Sequence, residues 1–299
     1  MRRNVFLSAT VTAFLAVCVS NAGASHLRNP YIATYPIDSA IIHYVIHTQF
    51  GHGDMSGPAR GTTEDFSGTQ TVYLKGEKLA KVTKMTLPAG KGKTTTVGTL
   101  QIYTADHIFT LDLIQKTGTK IDNPKRYGKA EYDKLSEGEK EAFHERMRTR
   151  GVISFDLPYV GKKVGTATIL GHTCDVYQLG EEPVPEKLFE RLQTGQDFSM
   201  NTCLWEGAIP LRVLRSRFAR SEELLATKIE KNVEIADSHF EVPRDIKIVH
   251  DDQTSELERR YALGRFHLYK TGKPMVIRVP VKEESGAVKK QGEAKEEPE

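Results

Sequence analysis

The middle of the chain alternates hydrophobic and polar residues with a period of two, in short segments separated by turn residues. This alternation is typical of β-strands that bury one face. Residues 41–48 (IIHYVIHT) are instead apolar on both sides, which predicts a strand in the centre of a sheet. In residues 224–235 the pattern places Leu225, Ile229, Val233 and Ile235 on one face, opposite Ala226, Lys228, Glu230, Asn232 and Glu234.

Short turn signals join these segments and predict antiparallel hairpins. One turn is at residues 75–77 (Lys-Gly-Glu) and another is at residues 105–106 (Ala-Asp). Links this short cannot connect parallel strands, which need a crossover of a dozen or more residues. After the second turn, Phe109, Leu111 and Leu113 share one strand face.

Two stretches break the period of two and predict helices. Between residues 129 and 150, Ser136 and Glu139 have capping-box spacing, and Gly151 is a stop signal. Gly138 predicts two short helices there rather than one long helix. Residues 185–195 (PEKLFERLQTG) form the second stretch, with an apolar stripe of Leu188, Phe189 and Leu192. The elements together predict a mainly β (α+β) fold, a curved antiparallel sheet with a few helices packed on one face.

The first 24 residues have the pattern of a signal peptide. A positive start is followed by an apolar run over residues 5–19 and by the small residues 22–24 (Ala-Gly-Ala) at a cleavage site. The run is shorter than the ~20 residues of a membrane span, which argues against an uncleaved anchoring helix. Val17 is bulky where lipoprotein signals carry a small residue, which argues against acylation of Cys18. The sequence therefore predicts an exported, periplasmic protein without a transmembrane segment after cleavage.

The composition of the C-terminal end predicts a disordered, charged tail over residues 282–299. This stretch has no aromatic residue, and Val288 is its only large aliphatic residue. Residues 25–39 then form a lead-in, and residues 40–281 form a single β-rich domain.

The net charge argues against nucleic-acid binding. Removing residues 1–24 lowers Lys+Arg from 42 to 40 against 39 Asp+Glu, and nucleic-acid binders depend on a clustered excess of basic residues. A local basic series does occur, at Arg212, Arg215, Arg217 and Arg220. It is either a solvated face that also carries Glu222 and Glu223, or a patch for anionic head groups or an acidic envelope partner.

Cleavage of the signal would leave two cysteines, Cys174 and Cys203. An even pair in an oxidising compartment is most simply a disulfide. The alternatives are a redox pair or a metal site, and neither a CxxC spacing nor a set of nearby histidine ligands supports them.

The sequence nominates no catalytic residue, metal or cofactor. His43 and His47 have the i, i+4 spacing of helical zinc ligands, but on a strand they would lie about 13 Å apart, too far to share one ion. The adjacent carboxylates Asp251 and Asp252 stand in a polar stretch and are interpreted as solvated.

Three stretches carry a resemblance to a known family. Residues 171–177 (GHTCDVY), 201–213 (NTCLWEGAIPLRV) and 239–248 (HFEVPRDIKI) resemble, in this order, exported relatives in the outer-membrane lipoprotein carrier (LolA-like) superfamily. The resemblance implies an unclosed antiparallel β-barrel wrapped over helices, with an apolar hollow between sheet and helices. It also implies that a Cys174–Cys203 bridge would hold residues 183–195 against the sheet, with Trp205 packed beneath the bridge.

The resulting hypothesis is a non-enzymatic protein that holds an apolar or amphipathic ligand, such as a lipid or a lipoprotein acyl chain, between sheet and helices. The candidate ligand-binding residues are Phe109, Leu111, Leu113, Phe189, Leu192 and Trp205. One alternative is a structural or interaction protein of the cell envelope whose core is filled by its own side chains. A third is an exported hydrolase whose catalytic residues converge from distant positions.

Overall fold

A computed structural model describes residues 28–32, 34–52, 62–88, 94–152, 155, 161–179, 198–217 and 220–275 of the 299. Twelve strands lie in these residues: β1 (Ser39–His52), β2 (Thr62–Lys75), β3 (Lys78–Pro88), β4 (Thr94–Tyr103), β5 (His107–Asp112), β6 (Thr117–Asp122), β7 (Lys162–Ile169), β8 (His172–Leu179), β9 (Phe198–Trp205), β10 (Ile209–Arg217), β11 (Arg220–Lys231) and β12 (Lys247–His250). Three α-helices accompany them: α1 (Pro124–Tyr132), α2 (Glu137–Thr149) and α3 (Asp252–Thr271).

All twelve strands form one sheet that does not close on itself. The strand order is β12-β6-β5-β4-β3-β2-β1-β11-β10-β9-β8-β7, so β12 and β7 are its two edges. The doubly apolar segment at residues 41–48 lies in β1, between β2 and β11, which confirms the predicted central strand. The prediction of an antiparallel sheet is wrong at one edge, where β12 pairs parallel to β6. β12 can do so because it follows β11 rather than β6 along the chain, without a short link to its neighbour.

Both predicted hairpins are present. The β2–β3 hairpin turns at residues 76–77, where Gly76 has a φ of +56°, a conformation that glycine adopts without strain. In the β4–β5 hairpin the Thr104 amide donates to the His107 carbonyl over 2.9 Å.

A β-bulge alters the alternation predicted for β11. Tyr44 pairs with Ala226 and His43 pairs with Lys228, so the register shifts at this point. Ala226 and Ile229 consequently contact the same hydrophobic core, whereas a regular strand would place them on opposite faces. The predicted face assignment is therefore wrong for Ala226, because the extra residue changes the phase of the strand.

The helix prediction for residues 129–150 is confirmed as two short helices. At the start of α2 the Ser136 amide donates to Glu139 Oε2 over 2.9 Å and the Glu139 amide donates to Ser136 Oγ, which completes the capping box. The break falls at residues 133–136, just before Gly138. The helix predicted at residues 185–195 lies outside the described residues.

Three hydrophobic cores lie within the described part of the chain. The central core joins β1, β2 and β8–β11, and its buried members include Ile42, Tyr44, Leu74, Trp205 and Leu211. The helix core lies among the three helices and residues 31 and 155. The flank core lies between strands β3–β5 and the segment of residues 240–248.

Candidate functional site

A cleft lies between the sheet and the helices. It consists of two adjoining cavities of about 230 Å³ and about 460 Å³. Strands β3–β5 form one wall of the cleft. Helices α1 and α3 and residues 31, 32 and 35 form the other wall. Both cavities are lined by Tyr31, Leu79, Tyr103, Asn123 and Lys125. We call the two spaces together the sheet–helix cleft.

Strand register decides which residues of the sheet face the cleft. Leu79 pairs with Tyr103, and Tyr103 pairs with Ile108, so the three side chains share one face. Lys81, two residues after Leu79 on β3, points to the same side and lines the smaller cavity.

The Tyr31 ring forms the boundary between the cleft and the helix core. It stacks on the Phe155 ring with 4.2 Å between centroids. A Cβ at Gly128 of α1 would lie 2.1 Å from the Tyr31 ring, so only glycine lets the ring approach the helix this closely.

Several polar groups in the cleft are hydrogen-bond donors in an apolar setting. Burial raises the pKa of Tyr31 and Tyr103, and raises that of Tyr35 to about 12, so these hydroxyls keep their protons. Burial also lowers the pKa of Lys81 and, together with the nearby charge of Lys81, lowers that of Lys125 to about 8. The cleft therefore holds ammonium groups where water solvates them poorly.

The structure places three of the predicted ligand-binding residues away from the cleft. Phe109, Leu111 and Leu113 do lie together, but in the flank core, on the opposite face of the sheet from Ile108. Leu111 is fully buried, and this face is covered by residues of the chain itself, namely Phe240, Val242, Ile246 and Ile248. Phe189 and Leu192 lie outside the described residues.

Trp205 lies in the central core beside the disulfide. Cys174 and Cys203 are bonded, with their Cα atoms 5.4 Å apart, which confirms the predicted bridge. Cys174 pairs with Trp205 across β8 and β9, so the bridge joins two neighbouring strands. The Trp205 ring stacks on the His172 ring at 4.4 Å, and Lys231 Nζ lies 4.8 Å from its centroid. Trp205 therefore lies in a different core from Phe109, Leu111 and Leu113.

The described arginines of the basic series at residues 212–220 contact nearby carboxylates. Arg212 Nε lies 2.7 Å from Glu223, Arg215 contacts Glu222, and Arg220 lies 2.7 Å from the other oxygen of Glu222. The side chain of Arg217 is outside the described residues. Arg212, Arg215 and Arg220 therefore each contact a carboxylate of Glu222 or Glu223. A role as an anionic-partner patch stays a prediction.

A polar cluster that the sequence analysis missed joins β6 to α3. Ser255 Oγ lies 3.3 Å from His250 Nε2, and His250 Nδ1 lies 3.2 Å from Asp252. These are the residue types of a hydrolase triad. However, Ser255 Oγ donates to the Asp251 carbonyl and accepts the amide of Asp122. The hydroxyl is buried and engaged as a structural link in the first turn of α3.

Asp122 in this cluster makes stability depend on pH. The hydroxyl of Tyr127 donates to its carboxylate over 2.5 Å. This hydrogen bond first, then the charges of Arg126, His250 and His107, hold the pKa of Asp122 below its usual range although burial opposes them. A depressed pKa stabilises the fold above the ordinary Asp pKa of about 4, and that stabilisation disappears as the pH falls through the folded-state value.

Replacing Tyr127 by phenylalanine is therefore expected to reduce the loss of stability on acidification, because the pKa of Asp122 returns toward its ordinary value. Urea unfolding at about pH 7 and about pH 3 measures the difference between wild type and variant. Tyr261→Phe, the same change at an exposed tyrosine of α3, is the matched control. An unchanged pH dependence in Tyr127→Phe would contradict the assignment.

Neither a metal site nor a membrane-spanning helix occurs in the described part of the chain. No group of three His, Cys, Asp or Glu side chains there could hold an ion, and His43 instead contacts Glu230 over 3.0 Å. None of the described helices combines the length and the hydropathy that a membrane crossing requires.

Comparison with known proteins gives structural similarity only. An uncharacterized conserved protein from Thermus thermophilus is similar with a TM-score of 0.35 and 8% identity, over 77% of this chain and 99% of that chain. A LolA superfamily protein from Nitrosomonas europaea has a TM-score of 0.29 and 12% identity, over 73% and 97%. LprF from Mycobacterium bovis has a TM-score of 0.28 and 11% identity, over 72% and 96%.

One of these structural neighbours is thus a member of the superfamily that the sequence motifs resemble. Because every one of these TM-scores is below 0.5, the similarities do not indicate a ligand. No protein-family model and no curated protein sequence matches the chain.

The residues that line the cleft were not identifiable from the sequence as a site. Lys81 and Arg265 each occur singly within an ordinary strand or helix pattern. Lys81 lies on the same face of β3 as Leu79. A lysine at a position where the alternation predicts an apolar residue was the one sequence signal for this site.

Proposed function

We propose that the protein is an exported, non-enzymatic carrier that binds an apolar or amphipathic ligand, such as a lipid or an acyl chain, in the sheet–helix cleft. The observation that carries the proposal is the cleft itself. Its larger cavity, about 460 Å³, is within the roughly 300–1,000 Å³ of small-molecule sites. The Cys174–Cys203 disulfide supports export, since such bonds persist in oxidising compartments.

The lining of the cleft suits an elongated molecule with a large apolar part. Tyr35, Leu79, Tyr103 and Ala130 offer apolar surface in the larger cavity, and Ile108 and Ala262 offer it in the smaller one. Burying each methylene group of an acyl chain there contributes about 0.8 kcal/mol. A chain of ordinary lipid length would therefore bind without a dense set of polar contacts.

Two measurements test the proposal. Lipid mass spectrometry on a solvent extract of the purified protein should find a reproducible lipid. The delipidated protein should bind the neutral apolar probe N-phenyl-1-naphthylamine.

Replacing Ala130, which is exposed and lines the larger cavity, by tryptophan should weaken probe binding by about tenfold, because about two methylene equivalents of burial are lost. Ala236→Trp, at an exposed alanine outside both cavities, is the matched control. An empty extract together with no probe binding would overturn the proposal.

The structural alternative, an envelope protein with a self-filled core, is favoured by one observation. The face that carries Phe109, Leu111 and Leu113 is covered by the chain's own residues 240–248. The same experiment separates the two functions, because a self-filled protein gives no lipid in the extract and binds no probe.

A further inference from the structure

The smaller cavity of the cleft has several basic side chains in its lining. Lys81, Lys125 and Arg265 line it, and no aspartate or glutamate is among the described residues around it. The larger cavity differs, since its Lys129 lies 3.0 Å from Asp133, and its Arg126 lies 3.8 Å from Asp122. The described lining of the larger cavity therefore includes residues of both charges, whereas the charged residues in that of the smaller one are all basic.

Lys81 has no carboxylate partner among the described residues. Its ammonium lies 5.1 Å from the centre of the Tyr103 ring, a cation–π contact. Burial, and then the charge of Arg215, lower the pKa of Lys81. Burial makes the charged form of this ammonium unfavourable, and an anion beside it would remove that cost.

Two buried polar atoms near this cavity also lack partners. Neither the Tyr31 hydroxyl nor Arg265 Nε has a hydrogen-bond acceptor within the described part of the chain. Tyr31 is 6% exposed, and leaving a polar group so deeply buried without a partner is unfavourable. The side chain of Asn123, which also lines this cavity, is already engaged, because it donates to the Thr104 carbonyl and accepts the Lys125 amide.

The groups left for a ligand can therefore all donate a hydrogen bond. An ammonium, a guanidinium N–H and a phenol O–H donate hydrogen bonds, and the first two are cationic. A ligand that satisfies them must supply acceptor oxygens and negative charge, and a carboxylate or a phosphate does both.

We propose that the smaller cavity binds the anionic group of an amphipathic ligand, through Lys81 and Arg265 with the Tyr31 hydroxyl as a third donor. This inference rests on the proposed carrier function and adds the chemical class of the ligand, an acyl compound with a carboxylate or phosphate head. Because the two cavities share Tyr31, Leu79 and Tyr103, the apolar part of the ligand extends into the larger cavity.

The test compares three ligands with sixteen-carbon chains on the delipidated full-length protein, each by displacement of N-phenyl-1-naphthylamine. Hexadecanol is neutral, palmitate carries a carboxylate, and palmitoyl lysophosphatidate carries a phosphate. Wild type should prefer at least one anion to hexadecanol by roughly tenfold or more, as charge-assisted hydrogen bonds predict. The better anion identifies the head-group chemistry.

Lys81→Met should lower the affinity for the preferred anion by roughly tenfold and so abolish this preference, because methionine keeps the volume and removes the charge. Arg265→Met is a second, independent variant, and Lys84→Met, at an exposed lysine on the same strand, is the matched control. Equal affinity of wild type for all three ligands would overturn this inference and leave the carrier function intact. If none of the three displaces the probe from a folded wild type, the carrier function itself fails.

Discussion

Replacing Phe143 by alanine is expected to lower the free energy of unfolding by about 3–5 kcal/mol, the largest effect of any single truncation in the helix core. Phe143 is fully buried, and its ring lies 5.4–5.7 Å from those of Tyr132, Phe266 and Tyr269. These rings belong to α1 and α3, so Phe143 of α2 connects all three helices. Alanine would leave a cavity among the three helices, and the surrounding side chains could close it only in part.

Urea unfolding followed by circular dichroism measures the change. Tyr261→Ala removes a ring of similar size from an exposed position on α3, and its effect should be within about 0.5 kcal/mol of zero. If the two variants lose similar stability, the helix core does not hold the helices together as described.

Removing the disulfide has the second large expected effect. The double variant Cys174→Ala/Cys203→Ala should be less stable by about 3–4 kcal/mol, because the bond closes a loop with a sequence separation of 29 and its loss releases chain entropy in the unfolded state. Both sulfur atoms are buried in the central core, so their removal also weakens its packing.

Guanidinium unfolding with and without a thiol reductant is the measurement. Reductant should lower the midpoint of wild type toward that of the double variant and should leave the variant unaffected. A wild-type midpoint that matches the variant under non-reducing conditions would show that the bond contributes nothing to stability.

Much of the architecture follows from local sequence signals. The hairpin turn at Gly76, the capping box at Ser136 and the doubly apolar β1 each depend on residues close in sequence, and each is present. The parallel pairing of β12 with β6 joins residues about 130 positions apart. Turn residues and hydrophobic periodicity do not predict such a pairing, because it depends on how the whole sheet and α3 come together.

The candidate site was less predictable than the fold, for a related reason. Alternation correctly grouped Phe109, Leu111 and Leu113 on one face of β5. It did not show which face would meet the helices, because residues 240–248 cover one side and α1 and α3 cover the other. The shift at Ala226 is a second example, because one extra residue in β11 changes the face of every residue beyond it.

Among the described residues β7 is an edge strand of the sheet, and this has a consequence for behaviour at high concentration. An unpaired strand can recruit a strand from another copy, which starts aggregation. Lys162, Lys163 and Val164 on this edge are exposed, and the register with β8 shifts between Lys163 and Gly165. Two adjacent lysines and an irregular backbone make a poor template for a second copy, so the edge resists the growth of intermolecular sheets.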